Sequence, residues 1–112
     1  MPDTTLPLAQ VQLAATQGAV YTAPSQPGNL VVYVDTIWVC NTDAAPREVT
    51  LRYGSGTLTA ANSLLDEAPF PTKTTAMMDG DKLIILTAGQ KIEGLSDAAN
   101  VVTVTLFGRL VE

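Results

Sequence analysis

Runs of β-forming residues, broken by Gly, Pro, Asn and Asp about every 8 to 12 positions, leave this chain few folds to choose from. The segments are rich in Val, Thr, Leu and Ile, and they are too short for parallel pairing, whose crossovers take about a dozen residues or more. The pattern predicts an all-β fold: an antiparallel β-sandwich, jelly-roll-like, of about seven or eight short strands. A small open barrel is the alternative.

The longest run, 30–41, is apolar on both faces. Strict alternation puts Leu30, Val32, Val34, Thr36, Trp38 and Cys40 on one side, and Val31, Tyr33, Ile37 and Val39 on the other. Either both faces are covered, or a bulge near Asp35-Thr36 joins two registers. We place Ile37 and Val39 in the core, which turns Trp38 away from it. The next strand alternates cleanly, with Val49, Leu51 and Tyr53 inward and Glu48, Thr50 and Arg52 outward. Strands are also expected at 11–14, 20–22, 74–78, 82–86, 91–95 and 101–111. In the last, Val102, Val104, Leu106, Gly108 and Leu110 share one face, and Thr103, Thr105, Phe107 and Arg109 the other.

Between these lie the turn signals. Ala23-Pro24-Ser25-Gln26-Pro27-Gly28-Asn29 is the clearest loop, Asp79-Gly80-Asp81 reads as a turn, and 62–68 reads as a helical turn stopped by Pro69 and Pro71. The expected organisation is an N-terminal arm with an edge strand over 1–18, followed by a β-sandwich over 19–112.

Chemistry is hard to find. The sequence has no histidine, so histidine-dependent triads are excluded and a zinc site has no imidazole. Cys40 is the lone cysteine, and its apolar neighbours predict a buried thiol, not a nucleophile. Asp79-Gly80-Asp81 lacks the EF-hand pattern, Asp66-Glu67 has no aromatic platform for a sugar, and Gly54-Ser55-Gly56 is too short for a phosphate loop. No catalytic, cofactor or metal residue emerges, and the chain is expected not to be an enzyme.

Charge narrows the partners. Six basic residues against eleven acidic give a net charge of −5, which argues against nucleic acid and anionic membranes. Only 15% of residues are charged, against about 25% in ordinary soluble domains. Together with the two-sided apolar run, that predicts self-association. The candidate interface residues are Trp38, Phe107, Tyr33, Pro24 and Pro27, with the N-terminal arm and the 23–29 loop as further docking elements. The N-terminus lacks the basic and apolar stretches of a signal peptide, so the expected site of synthesis is a host cytoplasm.

Several stretches carry a resemblance. They are Ala19-Val20-Tyr21-Thr22-Ala23-Pro24, Val34-Asp35-Thr36-Ile37-Trp38-Val39-Cys40-Asn41-Thr42 and Arg47-Glu48-Val49-Thr50-Leu51-Arg52. To these are added the Asp79-Gly80 turn, Leu86-Thr87-Ala88-Gly89-Gln90-Lys91-Ile92, and the closing strand up to Gly108. Over roughly 19–112 the chain resembles small β-sandwich virion proteins of tailed bacteriophages. The resemblance implies no catalytic residues and a place in the virion. The first role implied is an oligomeric, trimeric capsid decoration or cement protein bound to the major capsid protein. A tail or head-tail accessory protein bound to tail or neck subunits is the alternative. A carbohydrate- or receptor-binding sandwich, stacking a sugar on Tyr33, Trp38 or Tyr53, is the competing reading from a different class.

Overall fold

The computed structural model describes residues 6–25 and 30–111, apart from the side chains at 81 and 82. The described chain forms β1 (Leu6–Gln12), β2 (Gly18–Thr22), β3 (Val31–Asn41), β4 (Arg47–Gly54), β5 (Ser63–Phe70), β6 (Thr74–Thr87), β7 (Lys91–Ser96) and β8 (Val102–Val111). They build two four-stranded antiparallel sheets, in the orders β1-β8-β3-β6 and β2-β7-β4-β5. The chain crosses between sheets at every connection except β4 to β5. That interleaving is a jelly roll, which leaves each sheet with only two edges.

The core lies between the sheets. Val32, Val34, Ile37 and Val39 of β3, Ile84 and Leu86 of β6, and Val102, Val104 and Leu106 of β8 meet Val20, Val49, Leu51 and Ile92 of the second sheet. Each such side chain contributes about 1.5–3 kcal/mol when fully buried. Gly94 on β7 faces inward because the tips of Leu51 and Leu13 occupy the space a Cβ would need.

Of the two possibilities for 30–41, the bulge is realised. β3 pairs Val34 with Gly108 and then Thr36 with Phe107, leaving Asp35 extra. The phase therefore changes in mid-strand, and Val32, Val34, Ile37, Val39 and Asn41 all point inward. Asn41, fully buried, ties the ends of three segments together. Its Nδ2 donates to the carbonyls of Ala45 (3.1 Å), Phe70 (3.1 Å) and Pro71 (3.2 Å), while its Oδ1 accepts the Asp43 N–H at 3.0 Å. At the same turn the Arg47 guanidinium, followed by the Ala44 N–H, holds the Asp43 carboxyl below the usual carboxylate range.

Four expectations are corrected. Asp79-Gly80-Asp81 does not end a strand: both halves of β6 pair with β3, and the residues between Asp79 and Ile84 are an excursion on an edge strand. Residues 63–70 form β5 instead of a helical turn, and only a single 3-10 turn, Ala60–Asn62, precedes it, capped by Thr59. Thr50 is buried, because β5 bulges opposite it and sets both Asp66 and Glu67 against it, and the Glu67 N–H donates to the Thr50 hydroxyl at 3.1 Å. Tyr53, beside the end of β4, keeps 38% of its surface exposed although alternation points it inward.

Leu51→Ala is expected to cost about 2–5 kcal/mol through lost transfer and a cavity between the sheets. Thr50→Val, which keeps the shape but removes the acceptor, is expected to cost about 1–3 kcal/mol. Urea melts of both variants check this. A Thr50→Val variant as stable as the parent would show that the β5 contact contributes nothing.

Candidate functional site: an open apolar sheet face

The outer face of the β1-β8-β3-β6 sheet is where the sequence's interface residues meet. Because β3 changes phase at Asp35, its outward side chains are Val31, Tyr33, Thr36, Trp38 and Cys40. The registers set them in rows across the sheet. One row runs Pro7, Phe107, Thr36, Asp79; the next Gln10, Thr105, Trp38, Met77; a third Gln12, Thr103, Cys40, Thr75. Towards the other end, Arg109, Tyr33 and Ile85 form a further row.

Trp38 and Phe107 are diagonal neighbours on this face. Their rings meet edge to face, with centroids 5.5 Å apart and planes at 63°, a geometry worth about 0.5–1.5 kcal/mol beyond area burial. Trp38 is nevertheless 44% exposed, Met77 57% and Ile85 47%. These large side chains stand on a flat strand surface without cover.

The bulge also arranges the face's charge. Asp35 turns outward and takes a forked contact from Arg109, with Nε to Oδ2 at 3.0 Å and Nη2 to Oδ1 at 3.3 Å. The Arg109 guanidinium lies 5.3 Å from the centre of the Tyr33 ring. Asp79, at the edge, accepts a hydrogen bond from the Thr36 hydroxyl at 3.1 Å. The described charges here nearly cancel.

The opposite outer face is built differently. On β4 and β7, Arg52 and Glu93 are cross-strand partners, and Gln17 links them, accepting from Arg52 at 2.7 Å and donating to Glu93 at 2.8 Å. Lys91 adds an ion pair to Glu93 at 3.4 Å. That face carries a polar network joining Arg52, Gln17, Glu93 and Lys91.

Of the five candidate interface residues, Trp38, Phe107 and Tyr33 lie together on the open face. Pro24 is exposed in the segment after β2 and belongs to a different part of the molecule. Pro27, the rest of its loop from 26 to 29, and residues 1–5 of the arm lie outside the described residues. Cys40 corrects the expectation of a core thiol: Val39 and Asn41 take the inward positions, so Cys40 is half-exposed outside, accepting from the Thr75 hydroxyl at 3.2 Å. Met77 and Ile85 were not among the candidates. The signal for Ile85 was present in the run Leu83-Ile84-Ile85-Leu86, and that for Met77 in Ala76-Met77-Met78, each apolar on both faces like 30–41.

Nothing in this geometry assembles chemistry. Among the described residues no group of His, Cys, Asp and Glu is placed to hold a metal. A recess of about 80 Å³, lined by Val11, Leu13, Gly18, Ala19 and Gly94 among others, is far smaller than the roughly 300–1,000 Å³ of ligand pockets.

No family model and no curated protein matches the chain. Among solved structures, the fold is similar to a chain from the disulfide-linked pili that form Bacillus endospore appendages. There the TM-score is 0.50 and the identity 14%, over 98% of this chain and 89% of that one. It is also similar to a chain of infectious bursal disease virus, Gx strain, with a TM-score of 0.50 and 12% identity. That match covers 97% of this chain but only 30% of the viral one. At such identities the likeness establishes the fold, an all-β sandwich.

Gly108 is the position on which the open face depends. It sits opposite Val34 at the bulge, and a Cβ there would collide with the Tyr33 carbonyl oxygen, a backbone atom that cannot swing aside. Gly108→Ala is expected to cost about 1–3 kcal/mol or more by overpacking. Gly80→Ala, whose Cβ would meet only the tip of Leu83 at 4.0 Å, is expected to stay within about 0.5 kcal/mol. Paired thermal melts check this, and equal losses would mean the bulge does not need glycine.

Proposed function

We propose that this protein is a non-enzymatic structural protein of a bacteriophage virion, a capsid decoration subunit that associates through the open face of its β1-β8-β3-β6 sheet. The observation that carries the reading is the face itself. Trp38, Met77 and Ile85 stand uncovered beside Phe107 and Tyr33, with the charges of Asp35 and Arg109 set against each other. Large aromatic and Met side chains with few net charges are the make-up of an interface centre. A contiguous apolar surface of this kind on a small domain marks an interaction site.

Three further points support the virion. The sequence motifs resemble those of phage virion sandwiches. The fold is shared with a chain of a virus and with a chain of a pilus, both drawn from assemblies. The aromatic groups lie on a flat strand surface whose carboxylates at Asp35 and Asp79 are already engaged by Arg109 and Thr36, which fits a protein partner better than a sugar. The major capsid protein is the expected neighbour on the particle, and self-association accompanies it.

Trp38→Asp places a charge in the middle of the face. It is expected to lower incorporation into purified particles about tenfold or more, while the isolated chain keeps its far-ultraviolet circular dichroism and a cooperative melt. Quantitative blotting of gradient-purified particles measures the first effect, and immunogold labelling is expected to decorate heads. Full incorporation of the variant would remove the face from the assembly, and labelling confined to tails would assign the protein there.

A further inference from the structure

The rows that cross the open face are lopsided in a way that makes it complementary to itself. In the row Gln10, Thr105, Trp38, Met77, the β1 and β8 positions are smaller or polar, while the β3 and β6 positions are large and project. In the adjacent row the bias is reversed at the centre, with Phe107 on β8 and Thr36 on β3. A two-fold axis lying in the interface, parallel to the strands and between β8 and β3, exchanges β8 with β3 and β1 with β6 while leaving each row at its own height. Trp38 then stands over the second copy's Thr105, Met77 over its Gln10, and Phe107 over its Thr36. Large meets small at Trp38 and Phe107, Met77 meets the similarly long stem of Gln10, and each contact occurs twice, as an isologous interface requires.

We infer that the occupant of this face is a second copy of the same chain, packed sheet on sheet about such an axis. The inference deepens the structural reading above and rests on it. Charge permits the pairing. Each chain carries a net charge of −5, but on the face Asp35 is set against Arg109, so two copies meet there without a field of like charges. Size permits it too. Four strands about 4.8 Å apart and about ten residues long make a face of roughly 600 Å² in plan. A pleated surface studded with side chains exposes more than its plan, and specific interfaces take about 800 Å² from each partner. Aligned sheets cross at about 30°, so the match is tightest at the centre, where Trp38 and Phe107 sit. A single face of this kind closes with two copies, which replaces the trimer expected from the sequence.

Sedimentation equilibrium at micromolar concentration is expected to give twice the 11.8 kDa chain mass for the parent and the single mass for Trp38→Asp. A single mass for the parent, or a triple one, overturns the inference. The axis is tested by cross-linking in a Cys40→Ser background. Gln10→Cys and Met77→Cys stand three strands apart within one chain, about 14 Å, whereas facing residues of two packed sheets stand about 10 Å apart, too far for a disulfide but within reach of a short bis-maleimide. That reagent is expected to yield a covalent pair from the double variant and none from either single variant. A double variant that fails to cross-link, or a Met77→Cys variant that cross-links alone, overturns the axis. If the parent is a single chain in solution yet Trp38→Asp abolishes incorporation into particles, a different protein covers the face: the virion reading stands and this inference falls. If the pair forms but the protein is never found on particles, the inference stands without the virion.

Discussion

One extra residue in the middle of β3 governs which way the side chains of the central strand point. A strand with strict alternation from Val32 onward would bury Trp38 and Cys40 and expel Ile37 and Val39. By inserting Asp35 between Val34 and Thr36 the chain keeps compact apolar side chains inward along the whole strand, at the cost of a break in the ladder. Three features follow from that break. Gly108 must lack a Cβ, since the bulge pushes the Tyr33 carbonyl into its space. Asp35 must find a cation, and Arg109 on the neighbouring strand supplies a forked contact. Trp38 must face outward, where Phe107 meets its edge.

The two outer faces of the sandwich consequently have different characters. The β2-β7-β4-β5 face carries a polar network, with Gln17 bridging Arg52 and Glu93, and with the β5 bulge covering the Thr50 hydroxyl. The other face has its hydrogen-bonding backbone satisfied in the ladder and presents aromatic rings, methionine and threonine methyls outward. A fold of this size has little reason to leave Trp38 and Met77 uncovered unless something covers them in the assembled state. The proposed structural subunit, whose activity is its surface, would account for that.

Much of this was legible in the residues. The apolar character of both sides of 30–41 left two solutions, a strand covered on both faces or a bulge near Asp35-Thr36, and the placing of Ile37 and Val39 inward marked where the phase must change. The clean alternation of Val102, Val104 and Leu106 fixed β8 and left Phe107 outside. What misled was local chemistry overridden by pairing. Asp79-Gly80 has turn composition, yet it lies on an edge strand, where β3 supplies partners on both sides of it. Residues 62–68 have helix-like caps and stops, but the edge of β4 offers them a ladder, with Glu67 at a φ of 47° absorbing the misfit. Cys40 sits in an apolar run and reads as core, and only the phase set four residues earlier turns it outward. The pairing of one sheet face with its own copy is not visible in the linear sequence, since it depends on which strands lie side by side.

Trp38 is the sole tryptophan, so its fluorescence reports directly on the claim that the face is open in a single chain and covered on association. Emission and acrylamide quenching are followed as the folded protein is diluted from high micromolar to nanomolar concentration. The account predicts a blue-shifted, protected indole at high concentration that becomes red-shifted and fully quenchable on dilution, with unchanged far-ultraviolet circular dichroism. A tryptophan that is protected even where sedimentation gives a single chain would contradict the outward phase of β3, and one that is freely quenched at every concentration would contradict the covering of the face by a second copy.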